Sequence, residues 1–274
     1  MLKKKKYVCT LLTVFLLFPA MDIAGWGKET EGGRVRVPIL LYHRFGPVVT
    51  DSMTVETSVI ASQLKYLQVQ GYTVIPLRRL VASLAGKAPS PPDHAVVITV
   101  DDGHESVFTN LYPLIRRYHI PITLFIYPSA ISNASYALTW QQLQEMKDSG
   151  LVDIQSHTYW HPNFKKEKKR LTAQEYENFV HHQLLKSREV LQQKLGGTVD
   201  MLAWPYGIYD DELVNDAKRV GYIAGFSMAR HPVTRADSMM ALPRYLMINQ
   251  VQGIVFEKLL AESSRFREKR ENQP

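Results

Sequence analysis

A chain of 274 residues, 45% apolar and 22% charged, suits one large globular domain or two small ones, and α/β barrels of this length are common as single units. Its single cysteine, Cys9, excludes a disulfide framework and a thiolate site. Four lysines and one aspartate near the N-terminus carry +3 of the net charge of +7; the modest remainder, with no aromatic interleaving, speaks against nucleic acid as a partner.

Lys3 to Lys6 precede an apolar run from Tyr7 to Phe18, broken by Pro19 and Asp22. A basic start followed by about a dozen apolar residues reads as a secretory signal, shorter than the roughly 20 residues of a spanning helix. Neither Ala20 nor Ala24 has a small residue three positions earlier. Residues 1–24 are therefore expected as a signal peptide or an N-terminal anchor, with residues 7–24 the candidate membrane tether. Either way the chain is exported, to the periplasm, the cell envelope or the medium.

A glycine-rich linker over 25–34 leads into Val35–His43, a first buried strand followed by Arg44, Phe45 and Gly46-Pro47. Val59, Ile60, Leu64, Leu67 and Val69 mark a helix over 56–70 that Gly71 stops. A strand over 72–77, a short helix through Leu84 and a proline-stiffened connector lead to Ala95-Val96-Val97-Ile98-Thr99-Val100-Asp101-Asp102-Gly103. This run is rich in β-branched residues and reads as a strand buried on both faces. Adjacent strand residues point to opposite faces, so Asp101 and Asp102 share a site only where the strand gives out. Gly103 supplies the freedom for that turn. Two buried acids side by side cost stability, which a cation or a catalytic task would offset. The competing reading is a solvated turn with one Asp capping the next helix.

From Glu105 a helical pattern runs to Tyr118, with Pro113 expected to kink it. Ile122–Tyr127 is a buried strand, Thr139 caps a helix to Gly150, and Leu151–His157 is a strand that ends in a histidine. Asn163–Arg170 reads as a solvated basic loop, and Thr172 with Glu175 forms a capping box opening a long helix that ends at Gly196-Gly197. Met201–Gly207 is a strand then a turn, 211–220 a helix, 222–228 a strand, and 242–248 a last strand containing Arg244. A C-terminal helix carries Val251, Val255, Leu259 and Leu260. Domain bounds of 35–262, with a polar basic tail over 263–274, follow. Strands alternating with helices predict a parallel α/β sheet, and about eight strands suit a closed or nearly closed barrel.

In such barrels function sits on the loops after the strand ends. Here those ends carry His43, the Asp101-Asp102 pair, His157 with His161, Trp204-Pro205-Tyr206-Gly207, and Arg244. Two imidazoles four residues apart reach one cation if the segment makes a single turn, and two His plus a carboxylate leave positions open for water and substrate. His181-His182, by contrast, reads as a solvated pair. A divalent ion on one Asp, His157 and His161, with the other Asp as base, His43 as acid and N–H groups near Tyr206 as oxyanion donors, describes metal-assisted hydrolysis of an amide or ester. Spacing alone leaves open which Asp binds the ion.

Thr99-Val100-Asp101-Asp102-Gly103 and His157–His161 resemble the first two motifs of the NodB-homology polysaccharide deacetylases, carbohydrate esterase family 4, over residues 35–250. The resemblance implies a distorted (β/α)7–8 barrel that removes N-acetyl groups from N-acetylglucosamine polymers. It implies Asp101 as base, Asp102, His157 and His161 as metal ligands, and zinc as the usual ion, with cobalt, nickel or iron accepted. The third motif departs: Ala203-Trp204-Pro205-Tyr206-Gly207 lacks the arginine that supports the catalytic Asp in most members. Leu41-Tyr42-His43, the Trp-Pro-Tyr-Gly turn and Leu242-Pro243-Arg244 are similar to the rearranged poly-N-acetylglucosamine deacetylases of biofilm systems. That likeness implies His43 as acid, Arg244 as the replacement support, and Trp204, Pro205, Tyr206 and Gly207 as substrate contacts. The expected partner is an N-acetylated polysaccharide. The rival readings are the same site acting on peptidoglycan, a glycolipid or a non-sugar amide, and a silent barrel that only binds polysaccharide.

Overall fold

The computed structural model describes residues 35–264. The export segment, the 25–34 linker and the basic tail from residue 265 lie outside the described residues. Among the described residues no helix is long and apolar enough to cross a membrane.

The core of the fold is a curled parallel sheet. Its strands are β1 (Ile39–Tyr42), β4 (Thr73–Val74), β5 (Ala95–Asp102), β6 (Ile122–Ile126), β7 (Val152–Ser156), β8 (Met201–Ala203), β9 (Ala224–Phe226) and β10 (Tyr245–Leu246). In space they run β10-β1-β5-β6-β7-β8-β9, and β4 pairs with the start of β5. A separate small parallel pair, β2 (Arg44–Gly46) with β3 (Thr54–Glu56), follows β1 and has no counterpart in the sequence reading.

Strand parity divides the side chains into two layers. Leu40, Val96, Ile98, Val100 and Leu124 pack against the surrounding helices. Ile39, Val97, Phe125, Met201 and Phe226 fill the inside of the curl. Interior parity therefore falls on residues 39 and 41 of β1, on 95, 97, 99 and 101 of β5, and on 153 and 155 of β7. Continued one step past the strand ends, it reaches His43 and His157.

The predicted final strand, 242–248, is broken in two, and the break closes the curl. Leu242 donates to Gly225 O (2.8 Å) and accepts from Ser227 N–H (2.8 Å), so it pairs with β9. Tyr245 instead pairs with Leu40 of β1. Pro243 lacks the N–H needed to continue either ladder, so the chain changes partners there. Arg244 thus precedes the last strand rather than lying within it, and it spans the seam between the sheet's two ends.

The helices follow their sequence signals closely. Thr139 and Thr172 both make complete capping boxes, with Gln142 and Glu175, at the starts of α4 (Trp140–Asp148) and α6 (Ala173–Leu195). Pro113 shows itself as a π-helical turn over Val107–Leu111 ahead of α3 (Tyr112–Tyr118): Tyr112 N–H reaches back to Val107 O. The basic loop expected at 163–170 is in fact a helix, α5 (Phe164–Arg170), capped by Asn163. Its Lys168 pairs with Asp210 and Glu212, and its Arg170 with Glu167, so two of its five cationic side chains are matched by acids.

Candidate active and metal site

The site forms where β5 and β7 end. Interior parity buries Asp101 inside the mouth of the curl at 2% exposure. Asp102 would by the same parity face the helices. It escapes through its backbone: Asp102 has φ +73°, and Gly103 N–H donates to Asp101 O at 3.0 Å. This is a γ-turn with a positive central φ, the rarer and more strained hand. The turn brings two consecutive carboxylates to one site. Gly103, at φ +80°, is required as well, because a Cβ there would stand 2.8 Å from Ile126 Cδ1.

His157 follows β7 and still donates its N–H to Ile126 O (2.8 Å). Its Nδ1 lies 2.8 Å from Ala203 O, so that nitrogen donates and Nε2 keeps its lone pair for the site. Residues 157–161 form an irregular loop rather than a helical turn, with Thr158 (+64°) and His161 (+63°) left-handed. Side-chain bonds hold the loop: Ser156 Oγ accepts from Thr158 N–H, Thr158 Oγ1 from His161 N–H, and Gln183 Oε1 from Trp160 N–H.

Together these loops converge. Asp102 Oδ1 lies 3.6 Å from His157 Nε2 and 3.7 Å from His161 Nε2. One ligand atom from each of the three residues falls within 4.8 Å of the others. Burial holds His157 neutral, with its pKa pushed down to about 3, and lowers His161 too. Burial also pushes the Asp102 carboxyl up, with Asp101's like charge adding to it against the pull of His43. Neutral imidazole lone pairs facing an underpaired carboxylate are the donor set a divalent cation requires. The three residues fit a metal ion.

Asp101 is held differently. Arg244 donates to both its oxygens, Nη1 to Oδ1 and Nη2 to Oδ2, each at 2.8 Å. The guanidinium is fully buried, with Nε donating to Ser227 O at 3.1 Å and Cζ 5.4 Å from the centre of the Phe125 ring. Burial raises the Asp101 carboxyl, but the charge and hydrogen bonds of Arg244 outweigh it and leave it below the ordinary carboxylate range. His43 stands near enough for its charge to act on both Asp101 and Asp102, and its Nδ1 is buried without a hydrogen-bond partner.

The third-motif residues divide. Trp204 and Pro205 were expected to face substrate, and the structure buries both. Trp204 donates its indole N–H to Met240 O at 2.7 Å, through a space that Gly225 leaves open, so its ring belongs to the core. Tyr206 is 58% exposed at φ +57°, and its ring meets His161 edge-on at 4.6 Å. Gly207 turns the chain at φ +66° beside Met228.

Sequence reasoning passed over Tyr127. Interior parity, continued from Thr123 and Phe125, would have found it at the end of β6. Its ring lies 5.5 Å from that of His161, and its hydroxyl bonds Tyr136. Burial, then the bond to Tyr136 and the charge of Asp102, raise its pKa.

The chain is similar to known polysaccharide deacetylases. The family model for polysaccharide deacetylases matches residues 88–225. A poly-β-1,6-N-acetyl-D-glucosamine N-deacetylase of Staphylococcus epidermidis is 28% identical over 214 residues, covering 76% of this chain and 72% of the relative. Two solved structures share the fold. The deacetylase PplD of Streptococcus pyogenes, in complex with acetate, superposes with a TM-score of 0.74 at 21% identity, over 83% of this chain and 99% of its own. IcaB of Ammonifex degensii gives 0.72 at 23% identity, over 83% and 97%.

Proposed function

The chain belongs to the polysaccharide deacetylase family, and from that premise we propose that it is an exported, metal-dependent N-deacetylase of poly-β-1,6-N-acetylglucosamine. The activity named for the staphylococcal relative supports the polymer. The basic and then apolar residues 3–18 support export. The observation that carries the chemistry is the Asp102–His157–His161 cluster set against an Asp101 clamped by Arg244.

Asp102, His157 and His161 would hold the ion. A divalent cation bound there, zinc in the first instance, supplies a Lewis acid for the amide carbonyl and acidifies a water. Asp101 accepts the attacking water's proton: Arg244 takes one lone pair of each carboxylate oxygen, and each oxygen keeps another. By keeping Asp101 ionised, Arg244 keeps that acceptor available, at some cost in basicity. His43 gives a proton to the departing sugar amine. In the Trp204–Ile208 turn, Gly207 and Ile208 N–H groups are committed to the carbonyls of Trp204 and Pro205, so the Tyr206 N–H is the donor assigned to the developing oxyanion. Acetate and a free amine on the polymer result.

Metal analysis and acetate release from β-1,6-linked N-acetylglucosamine oligomers test this reading. The expected result is about one ion per chain, with acetate release that a chelator abolishes and zinc or cobalt restores. His157→Ala should lose both ion and activity while remaining folded. Activity that survives thorough chelation would overturn metal dependence, and no acetate from any N-acetylglucosamine polymer would overturn the deacetylase assignment. His43→Ala that deacetylates normally with the ion bound would remove His43 as the acid.

A further inference from the structure

Beside the metal cluster the mouth of the curl carries a polar feature that deacetylation leaves unused. The hydroxyls of Tyr127 and Tyr136 stand 2.8 Å apart. Tyr127 sits at interior parity just past β6, against His161. Tyr136 comes from the next loop, is 44% exposed, and stacks on His104 with ring centres 6.2 Å apart and planes 18° from parallel.

The backbone that carries Tyr136 is tied down by main-chain hydrogen bonds. Glu105 N–H donates to Tyr136 O (2.8 Å), Leu138 N–H to Gly103 O (2.9 Å) and Ser129 N–H to Tyr159 O (3.1 Å). The Tyr136 loop is thus tied to the same two loops that present Asp102 and His161. A site built this way recognises with little ordering cost. Two hydroxyls bonded to each other spend one O–H and one lone pair, leaving one O–H and three lone pairs for a ligand.

The chemical complement is a second pair of neighbouring hydroxyls. Adjacent equatorial hydroxyl oxygens of a pyranose stand about one hydrogen-bond length apart, matching the two phenol oxygens. In a 1,6-linked N-acetylglucosamine chain, every internal residue has O3 and O4 free. In a 1,4-linked chain O4 is consumed by the glycosidic bond in every residue but the non-reducing terminal one. We infer that the Tyr127–Tyr136 hydroxyl pair binds the free 3,4-diol of an N-acetylglucosamine residue and thereby selects 1,6-linked over 1,4-linked polymer. This rests on the polymer reading above and adds its linkage determinant.

The test is calorimetric binding of the full chain, in chelator, to a β-1,6-linked N-acetylglucosamine pentamer and to a β-1,4-linked one methylated at its non-reducing terminal O4, with acetate-release kinetics on the metal-loaded protein alongside. Wild-type protein should bind the 1,6-linked pentamer more tightly. Tyr136→Phe keeps the ring and its stack but removes one hydrogen bond, so it should weaken 1,6-linked binding about fivefold to tenfold. Binding of the 1,4-linked pentamer, kcat and the melting temperature should stay unchanged, and KM should rise with the loss of affinity. Tyr127→Phe should act in the same sense, and the double variant should fall short of the summed losses because the two hydroxyls act as a unit. Equal losses for both linkages, or none for either, overturn the inference. If this binding pattern appears without acetate release, the linkage reading stands and the deacetylase assignment fails; acetate release with linkage-blind binding has the opposite meaning.

Discussion

The fold contains two arginine–aspartate clusters at opposite ends of its parallel strands. Where the strands end, Arg244 and Asp101 are 0% and 3% exposed at their side chains. Where they begin, Arg78 bonds Asp200 and approaches Asp153, with the Arg78 side chain 42% exposed. Arg78 sits on α2 (Leu77–Leu84), at the rim, its own side chain open to water and those of Asp153 and Asp200 35% and 14% exposed. Charge pairs of that kind contribute little, whereas a buried pair makes each partner depend wholly on the other. The same two residue types act as surface trim at one end and as a held reactive group at the other. Desolvation makes the difference, since Asp101 and Asp153 share interior parity and differ in how far water reaches the pair.

Breaking the buried pair should have the largest effect. Arg244→Met leaves the Asp101 carboxylate buried without a partner, so unfolding stability should fall by about 3–5 kcal/mol and deacetylation should be lost. Chemical denaturation gives the first quantity, and acetate release the second. Adding Asp101→Leu to that variant removes the stranded charge; most of the lost stability should return while activity stays absent, which isolates the clamp's catalytic role from its structural one. A double variant as unstable as the single one would mean that Arg244 acts mainly through Ser227 O and Phe125. Gly103→Ala should come next. Its added Cβ meets Ile126 at a strained φ, for a loss of about 1–3 kcal/mol, and a shifted Asp102 should also weaken metal affinity in a competition titration. Arg78→Ala should come last, with a stability change under about 1 kcal/mol and unaltered acetate release. A large loss from Arg78→Ala would erase the contrast between the two ends.

The features legible in the sequence share one property: reactive residues at the ends of apolar runs. Asp101-Asp102 and His157 stand out because the strands before them are unmistakable. The capping boxes at Thr139 and Thr172 were equally local. What escaped needed partners from elsewhere in the chain. The change of pairing at Pro243 depends on β1 and β9 together, so Arg244 reads as a strand residue until both are in place. α5 lacks an apolar stripe beyond Phe164, so periodicity has nothing to register, and only the Asn163 cap hints at a helix. Trp204 sits in a turn that looks exposed, yet Gly225 lets its indole reach Met240. The positive φ at Asp102 is invisible because non-glycine residues rarely adopt it. Without it, the adjacent acids would face opposite layers.

The position of Arg244 across the seam also bears on how the chain folds. It lies 143 residues from Asp101, and its Nε bond ties it to Ser227 on the far edge of the sheet. Asp102, His157 and His161 all emerge earlier during synthesis. All three ligands are therefore available in a growing chain before Arg244 is, and Asp101 gains its counter-charge only when the last strand docks. Contacts this distant in sequence form late and slowly, because loop closure precedes any gain from them. Pulsed hydrogen exchange during refolding should show amides of β5 to β7 protected before those of residues 242–247. Protection gained at the same time throughout would mean that the seam closes with the rest of the sheet.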